Sequence, residues 1–287
     1  MAEPMTSPKG DATRRGAGAL IGSDLPARAA AGFVMMALAL SSAWAGGWWF
    51  ALFWLLAAVA VLWEWEALAV ADNRTLWLPG AAGLVVAEYL AHEAQPAASL
   101  MALLAGALAT GLAARGASRD MRLWTAAGVF YAGGMLVAVC LLRASSPRGL
   151  QAILWLFAVV WGTDIMAYFG GRLIGGPKLW VRVSPGKTWS GFGVGIVCGA
   201  AAGLLAAPAS VGVFVLGLAA GAAAQGGDLT ESAIKRHFGV KDSSRLIPGH
   251  GGFMDRLDGF IAAALLAAIV GFVRAGADHM ASGVLQW

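Results

Sequence analysis

Charged residues are scarce in this sequence. Asp, Glu, Lys and Arg together make up 13% of the 287 residues, 59% are hydrophobic, and the mean hydropathy is +0.71. A soluble globular domain carries about 25% charged residues, so this composition excludes that class. The alternation typical of membrane β-strands is missing too, and only helices or closed barrels satisfy the backbone in lipid. A helical membrane protein is the class that remains.

Cysteine and internal repeats are also lacking. The two cysteines, Cys140 and Cys198, both fall inside apolar runs, and their spacing is not typical of a disulfide framework or a zinc site. We therefore expect two inert core thiols. No tandem repeat is visible, and nothing suggests the inverted repeats that many transporters carry.

Long apolar runs are what the sequence has instead. A helix needs about 20 apolar residues to cross a bilayer, and runs of that order recur along the chain. The sequence therefore predicts an all-α fold, a polytopic integral-membrane helical bundle with about nine transmembrane helices. This bundle would occupy residues 28–275, after a disordered polar tail at 1–27 and before a short C-terminal tail at 276–287. The predicted runs are 28–44, 46–63, 76–91, 98–114, 122–142, 149–170, 189–207, 209–230 and 253–273.

The basic residues predict an orientation. If the N-terminus is cytoplasmic and all nine runs span, only Arg143, Arg148 and Arg274 of the 20 Lys and Arg residues fall on the outer side. This bias follows the positive-inside rule, so the net charge of +4 reflects topology and does not indicate a nucleic-acid partner. We expect a bacterial-type inner-membrane protein with its active site on the cytoplasmic side.

The N-terminal half offers no motif. The charges Glu64, Glu66, Asp72 and Arg74 are typical of solvated helix ends. Glu88 lies in the third run, near a helix end, where a lone carboxylate ordinarily reaches the interface. We therefore expect the chemistry in the second half of the chain.

Four aspartates in the second half lie within or beside apolar helix. They are Asp164, Asp228, Asp255 and Asp258, and the predicted topology brings all four to one side of the membrane. An aspartate at the centre of a membrane helix costs about 2.5–3.5 kcal/mol on insertion scales. Such residues ordinarily face a cavity, a partner or an ion, so these four are candidate site residues.

The charged segment around these aspartates combines helix and loop. Asp228, Ser232 and Lys235 would lie at i, i+4 and i+7 on one helix face. A loop rich in Gly and Pro follows, whose backbone amides could cradle a phosphate. Carboxylates brought together with Lys and Arg suit a divalent cation and a polyphosphate. His250 alone is more often a loop histidine than a base.

A second loop, SPGKTWSG, holds Ser184, Lys187 and Thr188. It is similar to a phosphate-contacting loop only loosely. It is not a P-loop, because the GxxxxGK[ST] spacing is absent and no strand is expected before it.

Residues 232–258 read SAIKRHFGVKDSSRLIPGHGGFMDRLD. Every fixed position matches the pattern S-x-x-K-R-x₄-K-D-x₅-P-x-H-G-G-x-x-D-R-x-D, so this segment resembles the signature of the phosphatidate cytidylyltransferases, also called CDP-diacylglycerol synthases. The segments 164–170, 184–189 and 227–232 are similar to that family as well, which extends the resemblance over about 160–260. The family loop usually reads SPKKTWEG, so Gly186 and Ser190 are departures.

The resemblance implies a membrane nucleotidyltransferase of phospholipid biosynthesis. Such an enzyme joins CTP and phosphatidic acid, within the lipid bilayer, to form CDP-diacylglycerol and pyrophosphate. Mg²⁺, or a pair of cations, would be held by Asp228 and Asp255, with Asp164 as a further ligand. The same resemblance and the small-residue helix faces favour a homodimer. The implied catalytic residues are Lys235, Arg236, Lys241, Asp242, His250, Arg256 and Asp258, and the implied substrate-binding residues are Ser184, Lys187, Thr188 and Ser232.

Two alternatives remain open. One is a related CTP-dependent membrane lipid transferase or kinase that acts on another lipid, although the full signature argues against a kinase. The other is a non-enzymatic, ion-coupled transporter. A transporter predicts polar residues across the membrane depth and in both halves, whereas here they gather on one side and in one half.

Overall fold

The computed structural model of the protein describes residues 25–70, 75–244, 246–247 and 251–287, with side chains from residue 30 onward. Each predicted apolar run forms a helix. The predicted tail at 1–27 lies outside the described residues as far as residue 24, and the predicted C-terminal tail contains one short helix. The helices are α1 (Leu25–Ala45), α2 (Gly47–Ala69), α3 (Trp77–His92), α4 (Pro96–Ala113), α5 (Arg119–Ala144), α6 (Gly149–Ile174), α7 (Trp189–Gly203), α8 (Val211–His237), α9 (Met254–Ala275) and α10 (Met280–Leu285).

Six of these helices, α2, α4, α5, α6, α8 and α9, are long and apolar enough to cross a membrane. The predicted all-α membrane bundle is therefore confirmed. Helix α7 has 15 residues and α3 has 16. At 1.5 Å per residue these helices are shorter than a hydrocarbon core of about 30 Å, so the number of nine crossings stays a prediction.

Successive helices run in alternating directions. The end of α2 meets the start of α5, where Trp65 Nε1 donates to the Trp124 carbonyl at 2.8 Å. The Trp124 ring stacks on His237 at the end of α8. At the opposite end of the bundle, Arg143 Nε on α5 donates to the Ala43 carbonyl on α1 at 2.8 Å. The ends of α2, α6 and α8 and the starts of α5, α7 and α9 therefore share one face. It is called here the signature face because the described residues between α8 and α9 lie there.

A β-hairpin stands where the sequence predicted only a loop. Strands β1 (Lys178–Trp180) and β2 (Ser184–Thr188) pair antiparallel, with Lys178 opposite Thr188 and Trp180 opposite Ser184. The Thr188 hydroxyl then caps α7 by accepting from the Gly191 amide at 3.1 Å. Lys187, the next-to-last residue of β2, is thereby fixed by the strand pairing and by the capped helix that follows.

Small residues bring α6, α7 and α8 together. A Cβ on Gly195 of α7 would meet the Thr163 carbonyl of α6 at 2.8 Å, and one on Gly221 of α8 would meet Thr163 Oγ1 at 2.9 Å. Close approach of this kind is how membrane helices gain packing contacts. The consequence is that Asp164, which follows Thr163, lies beside α8.

An aromatic cluster joins the two halves of the chain. Trp54 of α2 is 2% exposed and stacks on Phe260 of α9, with ring centroids 4.9 Å apart and an interplanar angle of 13°. Phe157 of α6 lies 5.6 Å from Phe260 by the same measure. The core therefore lies between the halves, directly beneath the residues of the signature face.

Candidate active site

One cavity of about 970 Å³ is lined by half of the predicted site residues. Helices α1, α2, α6 and α9 supply an apolar wall, while β2 and parts of α6, α8 and α9 supply polar groups. Among the described residues that line it, four carboxylates face four cationic side chains. These are Asp164, Arg172, Lys178, Lys187, Asp228, Asp255, Arg256 and Asp258.

A chain of polar contacts connects β2, α8 and α6. Lys187 Nζ lies 2.6 Å from Asp228 Oδ2 and donates to Gln225 Oε1 at 3.3 Å. Gln225 Nε2 in turn donates to Asp164 Oδ1 at 3.5 Å. Ser232 Oγ donates to Asp228 Oδ1 at 3.4 Å, as expected for residues on one helix face. Gln225 was not among the predicted site residues, although an amide inside an apolar run was a usable signal.

A second cluster joins α8 to the start of α9. Lys235 Nζ lies 2.7 Å from Glu231 Oε2 and 2.5 Å from Asp255 Oδ1. Asp255 Oδ2 also accepts from the Ser243 amide at 3.1 Å, the Ser243 hydroxyl at 3.0 Å and the Gly252 amide at 2.8 Å. Both oxygens of Asp255 are therefore engaged by the protein. Glu231, which is fully buried, lies in the segment 227–232 that resembles the family, but it was not among the predicted site residues.

The expectation of solvated carboxylates in the N-terminal half is wrong. Glu64 is 0% exposed, Glu66 2% and Glu88 4%. The reason for the first two is that α2 continues to Ala69, past the predicted end of the run at 63, and its last turns pack under the signature face. Glu64 accepts hydrogen bonds from residues of the signature loop and from the start of α9. Asp72 and Arg74 lie outside the described residues.

Several predicted site residues do not line the cavity. Arg236 is exposed and donates to the Val240 carbonyl at 3.0 Å. Lys241 and Asp242 are exposed on the loop, and Ser184 lies at the start of β2. Their roles stay predictions. His250 lies outside the described residues, as do Arg245, Pro248 and Gly249.

The carboxylates in the cavity offer the kind of oxygen atoms that Mg²⁺ prefers. Among the described residues, no three His, Cys, Asp or Glu side chains form a preformed metal cage. Mg²⁺ does not need one, because it is usually bound by one or two carboxylates together with water and phosphate oxygens. Asp228 and Asp258 line the same cavity, and Asp258 Oδ1 accepts from the Gly259 amide at 2.7 Å. Asp255 is held by four protein donors, the Lys235 ammonium, the Ser243 amide and hydroxyl and the Gly252 amide, whereas Asp228 is contacted by Lys187 and Ser232. Asp228 and Asp258 therefore suit the ion better than Asp255.

Comparison with known proteins places this architecture. The family model described as "Cytidylyltransferase family" matches residues 26–273. This chain belongs to the cytidylyltransferase family. The resemblance seen in residues 160–260 is thereby confirmed, and the match extends through the N-terminal half, where no motif was recognised.

Several relatives of this cytidylyltransferase-family chain carry the name phosphatidate cytidylyltransferase. One from Brucella abortus biovar 1 is 43% identical over 267 residues, which cover 91% of this chain and 98% of that protein. One from Brucella suis biovar 1 is 43% identical over 263 residues, covering 89% and 96%. One from Staphylococcus saprophyticus is 45% identical over 131 residues, covering 42% and 48%. The Brucella proteins match this chain over nearly their whole length.

The two departures from the family loop have different surroundings. Ser190 donates its hydroxyl to the Gly175 carbonyl and so ties the start of α7 to the end of α6. Gly186 lines the cavity, and a Cβ added there would meet nothing within 4 Å. Ser190 therefore has a structural contact of its own, whereas Gly186 leaves open space.

Proposed function

We propose that this chain is a phosphatidate cytidylyltransferase, which transfers CMP from CTP to phosphatidic acid and releases pyrophosphate. The observation that carries the proposal is the cavity, in which an apolar wall and a charged cluster meet. The match to relatives of that name over 91% of the chain supports it.

The two parts of the cavity suit the two parts of a phospholipid. Met35 and Met36 of α1, Phe53 of α2 and Trp161 of α6 form the apolar wall, beside the charged groups of α8 and α9. A lipid phosphate would remain near the acyl chains it is attached to, while a nucleotide would approach from water. A cavity with both kinds of surface brings these two reactants together and so removes much of the entropy cost of their meeting.

The charge balance of the cavity supports a requirement for Mg²⁺. Four carboxylates offset four cationic groups among the lining residues, and the Lys187 ammonium is already paired with Asp228. A triphosphate placed there needs additional positive charge. A bound Mg²⁺ would supply it, and would neutralise charge on the transferring phosphoryl group.

The reaction needs no protein nucleophile. An oxygen of the phosphatidate anion attacks the α-phosphorus of CTP, and the bond from that phosphorus to the bridging oxygen breaks, so the electron pair leaves with pyrophosphate. In this proposal Asp228 and Asp258 hold the cation, with Asp164 beside them. Lys187 and Arg256 orient phosphate oxygens, and Lys235 fixes Asp255 from behind the cavity wall.

We propose further that the signature face is cytoplasmic and that the membrane is a bacterial inner membrane. Arg143, Arg148 and Arg274 all lie toward the opposite face, at the ends of α5 and α9 and the start of α6. The positive-inside rule favours this orientation, and CTP would then reach the cavity from the cytosol. A homodimer remains a prediction.

Two labels on CTP test the proposal. The purified protein in detergent micelles with phosphatidic acid receives CTP labelled at the α-phosphate or at the γ-phosphate. We expect the α-label in the lipid product and the γ-label in pyrophosphate, with Asp228→Asn as the inactive control. The γ-label in lipid would indicate a kinase instead, and no label in lipid from either CTP would contradict the proposal.

A further inference from the structure

We infer that Glu64 is a positioning residue, which fixes the signature loop and the start of α9 so that Asp255 stands correctly at the cavity wall. Glu64 lies on α2, outside every motif of the second half. Its kinetic consequence depends on the proposed cytidylyltransferase reaction, whereas its structural consequence can be measured without it.

The Glu64 carboxylate is held by four donors. Oε1 accepts from the Ser244 hydroxyl at 2.6 Å and the Phe253 amide at 2.9 Å. Oε2 accepts from the Ser243 hydroxyl at 3.0 Å and the Met254 amide at 2.7 Å. These partners lie 179 to 190 residues away along the chain. One side chain therefore ties the first half of the bundle to both ends of the loop 243–254.

The chemistry of these donors explains why a carboxylate stands here. The first amides of a helix have no partner within the helix, and Phe253 and Met254 supply two of them at the start of α9. An ionised carboxylate offers only acceptors, about four lone-pair sites on two oxygens. Burial of a charge without such partners is costly, and Glu64 is 0% exposed. The four donors thus match the acceptor sites of a glutamate carboxylate.

Glu64 acts on Asp255 through the residues that the two carboxylates share. The Ser243 hydroxyl lies 3.0 Å from Glu64 Oε2 and 3.0 Å from Asp255 Oδ2. It has one proton and can donate to only one of them at a time. The Ser243 and Gly252 amides also donate to Asp255, which lines the cavity. Movement of this loop would therefore move Asp255 and, with it, Lys235.

Gly252 leaves the space that this arrangement requires. A Cβ at Gly252 would lie 2.5 Å from each Glu64 oxygen, and closer still to the Ser243 hydroxyl oxygen. Contacts under 3 Å force a shift. Gly252, the second of the two adjacent glycines in the signature, therefore leaves room for the Glu64 carboxylate beside the loop.

The kinetic test compares Glu64→Gln with Glu66→Gln. The Glu66 carboxylate is buried on the same helix and makes no hydrogen bond within the described part of the chain, so it is a matched control. In Glu64→Gln, the side-chain NH₂ group replaces one carboxylate oxygen and cannot accept the two hydrogen bonds that this oxygen receives. Because a displacement of about 1 Å can cost 100-fold in rate, we expect kcat to fall roughly 10- to 100-fold. The KM for CTP should stay within about threefold, since the nucleotide contacts are not removed.

Rescue separates positioning from folding. Glu64→Asp keeps the four acceptor sites on a shorter side chain and should recover part of the lost kcat. Gly252→Ala should lower kcat in the wild-type background and have a smaller effect in a Glu64→Ala background, because the clash with the carboxylate is then removed and only that with the Ser243 hydroxyl remains. Equal kcat for Glu64→Gln and Glu66→Gln would overturn the inference.

Hydrogen exchange tests whether Glu64 anchors the signature loop, even if no CMP transfer is found. Peptides covering 243–254 should exchange faster in Glu64→Gln than in wild type, while peptides from α5 and α6 exchange as before. Unchanged exchange in the peptides covering 243–254 would contradict the inference that Glu64 anchors the loop. Faster exchange throughout the bundle would overturn the positioning role, because it would show a general loss of stability. Absence of CMP transfer by the wild-type protein would count against the proposed function alone.

Discussion

The two halves of the chain both carry carboxylates at the signature face, but these differ in exposure and in their contacts. In the second half, Asp164, Asp228 and Asp258 line the cavity, where substrates would contact them. In the first half, Glu64 lies outside the cavity lining and accepts hydrogen bonds from Ser243, Ser244, Phe253 and Met254. The comparison shows that a carboxylate in a membrane enzyme can act by positioning other residues as well as by contacting substrates.

The halves also differ in the surface they give to the cavity. Among the described lining residues, α1 and α2 contribute apolar side chains alone, including Met36, Phe53 and Trp54. The second half contributes all of the charge, together with apolar side chains of α6 and α9. This division predicts that substitutions in the first half alter the KM for phosphatidic acid. Substitutions in the second half should alter the kinetic constants for CTP and the dependence on the cation. Four experiments test that division.

Removal of divalent cations should have the largest effect. The acids of the second half balance its cationic groups, so we expect EDTA to lower CMP transfer at least about 1000-fold, the rate equivalent of several kcal/mol. Added Mg²⁺ should restore it. The measurement is α-labelled CMP in lipid at increasing free Mg²⁺. Full activity after exhaustive chelation would show that the cationic side chains suffice.

Loss of one cation from each half gives the next test. Lys187→Met removes the ammonium that bonds Asp228 and Gln225. We expect kcat/KM for CTP to fall about 100-fold, as for removal of a charged donor to a transferring phosphate. Arg119→Met removes an exposed cation at the start of α5, on the same face but in the first half. It should leave kcat/KM nearly unchanged, and equal losses in both variants would contradict the division.

The local parts of this architecture could be predicted from sequence. Asp228 and Ser232 are four residues apart on a helix, so their contact follows from helical periodicity. The apolar runs predicted α1 to α9, because in lipid the backbone must form its hydrogen bonds within the protein, whereas α10 lies in the segment predicted as a tail. The family was predicted from a signature confined to residues 232–258.

The remaining parts depend on tertiary contacts that no local pattern contains. Glu64 and Ser243 are 179 residues apart, and nothing in the sequence around either residue indicates the other. Glu64 was expected to be solvated because it follows an apolar run, yet helix α2 continues and packs beneath the loop. The hairpin was missed because Pro177, Pro185 and several glycines are typical of loops, although Lys178 and Thr188 pair across it.

A bulky residue on α1 should affect lipid more than nucleotide. Met36 lines the apolar wall, whereas Val34 on the same helix is 54% exposed and lies outside the cavity lining. Met36→Trp should raise the KM for phosphatidic acid about tenfold, because the added ring fills space needed by acyl chains and overpacking of this kind costs about 1–3 kcal/mol. Val34→Trp is the control and should change neither KM. A larger rise in the KM for CTP than for lipid would break the division.

The smallest expected effect comes from adding a cation at Gly186. The backbone there has no positive φ, and a Cβ would meet nothing within 4 Å, so a lysine fits without strain at the edge of the cavity. Gly186→Lys should lower the KM for CTP about two- to threefold, since an exposed charge pair contributes about 0–1 kcal/mol. The gain should shrink at high salt because the charge is screened. Gly186→Ala, which adds a side chain without charge, should leave the KM unchanged. If both variants lowered the KM for CTP equally, the effect would come from a stiffer backbone. The charge of the second half would then contribute less to CTP binding than the lining of the cavity indicates.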